Sequence, residues 1–89
     1  MSATSDWQDA KYTETFEEEL RGLERRRIAD ASCTADGIER VLKQLYIMEG
    51  ADWYGRGLLQ DIILSARIAA YEHFVAQWRQ ELASNEQGK

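Results

Sequence analysis

Between Leu58 and Leu82 the chain has the spacing of a helix, yet it is apolar around most of its circumference. Wound at about 100° per residue, Leu58, Leu59, Ile62, Ile63, Ala66, Ala69, Ala70 and Phe74 share one broad arc, and Leu64, Ile68, Tyr71, Val75, Trp78 and Leu82 form a second row. Asp61, Ser65, Glu72 and Arg79 leave only a narrow polar strip. A helix resting on one neighbour needs an apolar stripe little more than about 100° wide. This segment is therefore expected to be packed on at least two sides. With 89 residues there is room for one domain, and a chain of this size hides only about 60–65% of the surface its unfolded form exposes. Proline is absent and the β-branched residues never alternate with polar ones, so no strand is expected and the fold class is all-α.

The first half of the chain carries a single apolar stripe. Phe16, Leu20, Leu23, Ala31, Ile38, Val41, Leu42, Leu45 and Met48 keep one helical phase, which predicts a long helix over about 15–48. Thr13 or Thr15 can cap it, and Glu17, Glu18 and Glu19 suit the positive end of its dipole. Its weak stretch is Ala29–Gly37, rich in Ser, Cys, Thr, Asp and Gly. There the helix is either kinked or broken near 32–37, with Thr34 as the cap of a fresh helix. Residues 49–57 read as a glycine-rich turn in which Gly50 can end the helix in the left-handed conformation. A second helix runs over about 58–83. Residues 1–13, polar and without periodicity, read as a flexible tail, and 14–89 as one helical domain. The favoured architecture is an antiparallel two-helix hairpin that pairs with a second copy into a four-helix bundle. If the long helix breaks near Thr34, a three-helix monomer becomes possible, with Leu58–Leu82 covered by both pieces.

The net charge of −5 argues against nucleic-acid binding through a basic face. Arg25, Arg26 and Arg27 follow Glu17, Glu18, Glu19 and Glu24, and pairs such as Glu17 with Arg21 and Arg26 with Asp30 neutralise much of this run locally. One cysteine, Cys33, makes no internal disulfide. Met1–Asp9 lacks the apolar core of a signal peptide, and Asp61, Arg67 and Glu72 interrupt the best apolar window. A cytoplasmic location and no membrane span are expected.

Residues with chemical potential are few. Arg27 and Arg67 sit within apolar arcs, where a long stem carries a guanidinium to a carboxylate. Glu24 or Asp30 would serve Arg27, and a cross-helix or cross-subunit carboxylate would serve Arg67. His73 falls on the small-residue arc and reads as a core or interface histidine. These three are the buried polar candidates. A bundle metal site draws on Glu-x-x-His units, whereas Glu72 and His73 are adjacent and there is no second histidine, so no metal or other cofactor is expected. No nucleophile has a base at helical spacing, and no catalytic residue is assigned. Gly22, Ala29, Cys33 and Gly37 lie off the main stripe and suggest a close helix neighbour there. Trp53, Tyr54 and Arg56 in the turn are of the types enriched at binding hot spots, and Trp7 in the polar arm can dock in a groove. These four are the partner-binding candidates.

The function expected from these features is non-enzymatic: a small acidic helical protein with a regulatory or adaptor role, acting as a homodimer on a protein partner. Two alternatives have some basis. One is an acidic mimic of nucleic acid, built on the Glu14–Glu19 run. The other is a ligand binder or enzyme with a pocket near Arg27, Arg67, His73 or Tyr71.

Overall fold

The structure, a computed structural model, describes residues 3–50 and 57–87. They form three helices, α1 (Ala3–Ala29), α2 (Ala35–Gly50) and α3 (Gly57–Gln87). The long helix expected over 15–48 is therefore two helices, and the hairpin of two helices is corrected to a three-helix arrangement. The break occupies residues 30–34, and its cause is local. The Asp30 N–H still donates to the Arg26 carbonyl at 2.9 Å, as the last rung of the α1 ladder. The Asp30 carboxylate then turns back on the chain, accepting from the Ser32 N–H at 2.9 Å and the Ser32 hydroxyl at 2.6 Å. Cys33 N–H donates to the Asp30 carbonyl at 3.0 Å. These side-chain bonds offer the backbone an alternative to helix. Thr34 then starts α2 as its N-cap: its hydroxyl oxygen accepts from the Gly37 N–H at 3.0 Å, and its carbonyl accepts from the Ile38 N–H at 3.0 Å.

The polarity of the helices follows from their cross-contacts. Arg27 and Glu19 of α1 meet Glu81 and Arg67 of α3, so the two helices run parallel. Asp36 and Glu39 at the start of α2 meet Arg79, and Tyr46 near its end meets Glu72, so α2 is antiparallel to α3. Both α1 and α2 lie along α3, and their backbones make no close approach to each other. The central helix is thus gripped from two sides, as its wide apolar arc requires, by two segments of the same chain.

The core follows the second apolar row. Leu64, Ile68, Tyr71, Val75 and Trp78 of α3 are buried with Ala35, Ile38, Leu42 and Leu45 of α2 and Leu23 of α1. Ala66 and Ala70 of the first row are fully covered and Phe74 nearly so. They share an arc with Arg67 and Glu81, the residues that meet α1, and their small size lets the α1 and α3 backbones approach closely. The first helix begins at Ala3 instead of near Thr15, so the segment expected as a tail is helical from that residue on. Gly50 ends α2 in helical conformation, and the positive φ among the described residues is at Gly57, 72°, where α3 begins. Gly22 has open space where a Cβ would stand, so no helix neighbours it. No helix among the described residues is long and apolar enough to cross a membrane.

Candidate interaction surface

The extent of α2 decides what the fold leaves open. Tyr46 pairs with Glu72, and only four residues of α2, about 6 Å of helix, follow Tyr46. On α3, fifteen residues precede Glu72, about 22 Å. Among the described residues, the first turns of α3 therefore extend well past the end of α2. Apolar side chains gather at this end of the molecule: Leu58 and Leu59 of α3 are 53% and 45% exposed, and Ile47 and Met48 of α2 are 65% and 45% exposed. Ile62 and Ile63 are half-buried. Trp7 of α1, 43% exposed, stands near the same end, since α1 and α3 run parallel. Of the partner-binding candidates, Trp7 is the one placed. Trp53, Tyr54 and Arg56 lie outside the described residues.

The buried polar candidates are resolved differently. Arg27 is half-buried, and its partner is Glu81 of α3 at 3.0 Å, not Glu24 or Asp30. The same guanidinium lies 4.1 Å from the centroid of the Trp78 ring, a cation–π contact. The long stem reaches across the helix pair, while Asp30 is already engaged by Ser32. Arg67 makes the expected cross-helix pair, with Glu19 at 3.4 Å. His73 is exposed, which corrects its reading as a core residue. Its ring centroid lies 6.0 Å from that of Phe16 in a tilted arrangement. It therefore lies on the α1 side of α3, at the edge of the arc that carries Ala66 and Ala70, where its ring meets Phe16 but stays open to solvent.

One open groove of about 410 Å³ runs between the last turns of α1 and the C-terminal half of α3, lined by Glu24, Arg27, Ile28, Phe74, Gln77 and Glu81. Arg67 and His73 do not line it, so the three polar candidates do not converge there. Its lip carries Ile28, 86% exposed, a residue the stripe analysis passed over. Ile28 stands five positions after Leu23, about 140° round the helix, and that offset is its visible signal. Phe74 forms the floor, packed edge-on against Trp78 with centroids 5.5 Å apart.

The surface charge is interleaved. Lys11 pairs with Glu14 at 3.2 Å, and Arg79 holds Asp36 at 2.7 Å and Glu39 at 2.6 Å. The hydrogen bond from Arg79 keeps the Asp36 carboxyl below the usual carboxylate range, and the bonds to both acids raise the Arg79 pKa. Hydrogen bonds from Ser32, with Arg26 nearby, lower that of Asp30. The Tyr46 hydroxyl, donating to Glu72 and surrounded by further acids, has its pKa pushed up to about 12. Among the described residues no group of three or more His, Cys, Asp and Glu side chains is placed to hold a metal ion. No family model, curated protein or solved structure matches the chain.

Proposed function

We propose that this chain is a non-enzymatic helical interaction module that binds other protein chains, a second copy of itself among them, in a regulatory or adaptor role. The observation that carries this reading is the apolar surface exposed at the end where α2 stops short of α3: Leu58 and Leu59 of α3, with Ile47 of α2 at the same end of the molecule. Exposed apolar surface gathered at one end in this way marks protein contacts. The acidic-mimic alternative requires clustered free carboxylates, and the interleaving of Glu14, Glu19, Asp36, Glu39 and Glu81 with Lys11, Arg67, Arg79 and Arg27 disfavours it. The pocket-based alternative requires Arg27, Arg67 and His73 to converge, and the groove gathers only the first. Sedimentation over a micromolar concentration series tests the reading. A concentration-dependent dimer is the expected result. A strict monomer throughout the series rejects self-association and with it this function.

A further inference from the structure

We infer that the second copy binds by exchange of α1: the linker 30–34 straightens, α1 and α2 become one long helix, and α1 of each chain occupies the α1 site on α3 of the other. This inference rests on the self-association proposed above and specifies its geometry. Four observations carry it.

The apolar phase does not slip across the break. Phe16, Leu20 and Leu23 of α1 and Ile38, Val41, Leu42, Leu45 and Met48 of α2 would lie within an arc of about 120° if the two helices were joined. A permanent corner places no such demand on the sequence. Second, nothing in the linker enforces a corner. The chain has no proline, and no residue from Asp30 to Thr34 has a positive φ. The bend is held by Asp30 with Ser32 and by the Thr34 cap, and a continuous helix would replace those bonds with its own backbone ladder. Third, the α1 and α2 backbones make no close approach and the two helices join through the core to which Leu20 and Leu23 contribute, so little interface stands between them.

Fourth, α1 buries few side chains of its own, although it lies along α3 more extensively than α2 does. It contributes one buried apolar side chain, Leu23, and one buried polar one, Thr15, whereas α2 contributes Ala35, Ile38, Leu42 and Leu45. Detaching α1 leaves the α2–α3 pair with most of its core. On α3 it exposes the arc of Ala66, Ala70 and Phe74, which an identical α1 from another chain fits with the same contacts: Glu19 on Arg67, and Arg27 on Glu81 and Trp78. Outside the linker, exchange reuses the native contacts and needs no new complementary surface, which is why swapping is a low-cost route to dimers. A dimer formed at the Leu58–Leu59 end would need such a surface.

Opposed charge changes in two separate chains test this. Arg27→Glu in one chain and Glu81→Arg in another each place like charges together within a monomer, while an exchanged heterodimer restores both pairs. The two variants, refolded together and read by native mass spectrometry, are expected to give heterodimer several-fold above the statistical proportion. A statistical mixture overturns the exchange. The hinge gives an independent arm. Proline is accepted at the first position of a helix but breaks a continuous one, so Ala35→Pro is expected to weaken dimerisation at least ~100-fold. Thr34→Ala, which removes the cap that favours the closed form, is expected to strengthen it roughly tenfold. If dimers persist in Ala35→Pro and are lost in Leu58→Glu/Leu59→Glu, the exposed apolar end mediates them. The exchange is then rejected and the interaction function stands. If the parent and all variants are monomeric, both are rejected.

Discussion

Replacing Ile38 with alanine separates the packing described here from other ways of placing α2. Ile38 is 1% exposed, the largest fully buried side chain among the described residues, and it sits in the first turn and a half of α2, within the cluster that includes Leu64, Ile68 and Trp78. The substitution removes three carbons, worth about 0.8 kcal/mol each on transfer from water, or about 2.4 kcal/mol together. Helices α2 and α3 can close only part of the space left, and at about 24 cal/mol per Å³ a residual void of about 50 Å³ adds roughly 1 kcal/mol. The expected loss is therefore about 3–4 kcal/mol, within the usual range for Ile→Ala. In a domain of this length that lowers the thermal midpoint by roughly 12–30 °C. Ile47, nine residues later on the same helix, is 65% exposed, and Ile47→Ala should cost less than about 0.5 kcal/mol. Circular dichroism melts and urea titrations of the two variants at equal concentration measure the difference. Equal losses, or a larger one at Ile47, would mean that α2 presents a different face to α3, and the linker geometry would fall with it.

Two further outcomes follow from the same structure. Gly22 lies inside α1, exposed, with nothing within 4 Å of the position a Cβ would take, so Gly22→Ala should raise stability by about 0.5–1 kcal/mol, and a loss in chemical denaturation would show that another segment packs there. Asp30 and Asp36 both titrate below their usual value near 3.8 in the folded chain, through Ser32 and Arg79 respectively. A depressed carboxylate contributes stability that is complete above its unfolded pKa and lost as the pH falls through its folded pKa, so part of the stability should disappear below about pH 4. The variant Asp30→Asn/Asp36→Asn should start less stable at neutral pH and decline less steeply in acid. An acid profile parallel to that of the parent would show that the two bonds do not persist in solution.

Much of the fold is legible in the residues, and what is not has identifiable causes. The width of the apolar arc over Leu58–Leu82 requires two neighbours for that helix, and it has two. Thr34 is visible as a potential cap because Thr, unlike its neighbours Cys33 and Ala35, carries a hydroxyl at a point where a helix can restart. The break itself is hidden from periodicity, because the stripe keeps its phase across the five-residue connection. Only the turn made by Asp30 and Ser32 decides it. The early start of α1 is hidden for another reason. Gln8, Lys11, Thr15 and Glu19 form a polar row at spacings of three and four, and from Trp7 to Thr15 the half-buried or buried residues are Gln8, Lys11 and Thr15. A search for apolar residues at helical spacing passes over a contact face of that composition. The candidate surface was legible only in part. Met48 belongs to the stripe by phase but lies at the end of α2 and is 45% exposed, and Ile47, about 100° round the helix from it, is 65% exposed. The positions of Leu58 and Leu59 depend on how far α2 extends beside α3, which no local pattern encodes.

The division of labour between apolar and charged residues explains why the helices take this order and direction. All of the cross-helix ion pairs described have substantially exposed partners, and pairs of that kind contribute about 0–1 kcal/mol each. They cannot hold the molecule together against the burial of Ile38, Leu45, Phe74 and Trp78. Their effect is on register. With Arg27 beside Glu81 and Glu19 beside Arg67, α1 is fixed parallel to α3. Reversing α1 would carry Arg27 towards the N-terminal turns of α3 and bring the acidic run Glu17–Glu19 into a different charge environment. On the other flank, Arg79 of α3 beside the start of α2 and Glu72 of α3 beside its end fix the antiparallel sense and limit sliding by a turn. Arginine suits these places better than lysine, because a planar fork can bond two carboxylates at once, as Arg79 does, or stack on an indole while bonding a carboxylate, as Arg27 does. Specificity of this kind does not depend on whether the α1 that docks on α3 belongs to the same chain or to another. A pattern of charges that reads direction and register, laid over a small apolar interface, suits a helix that is to be recognised as well as packed.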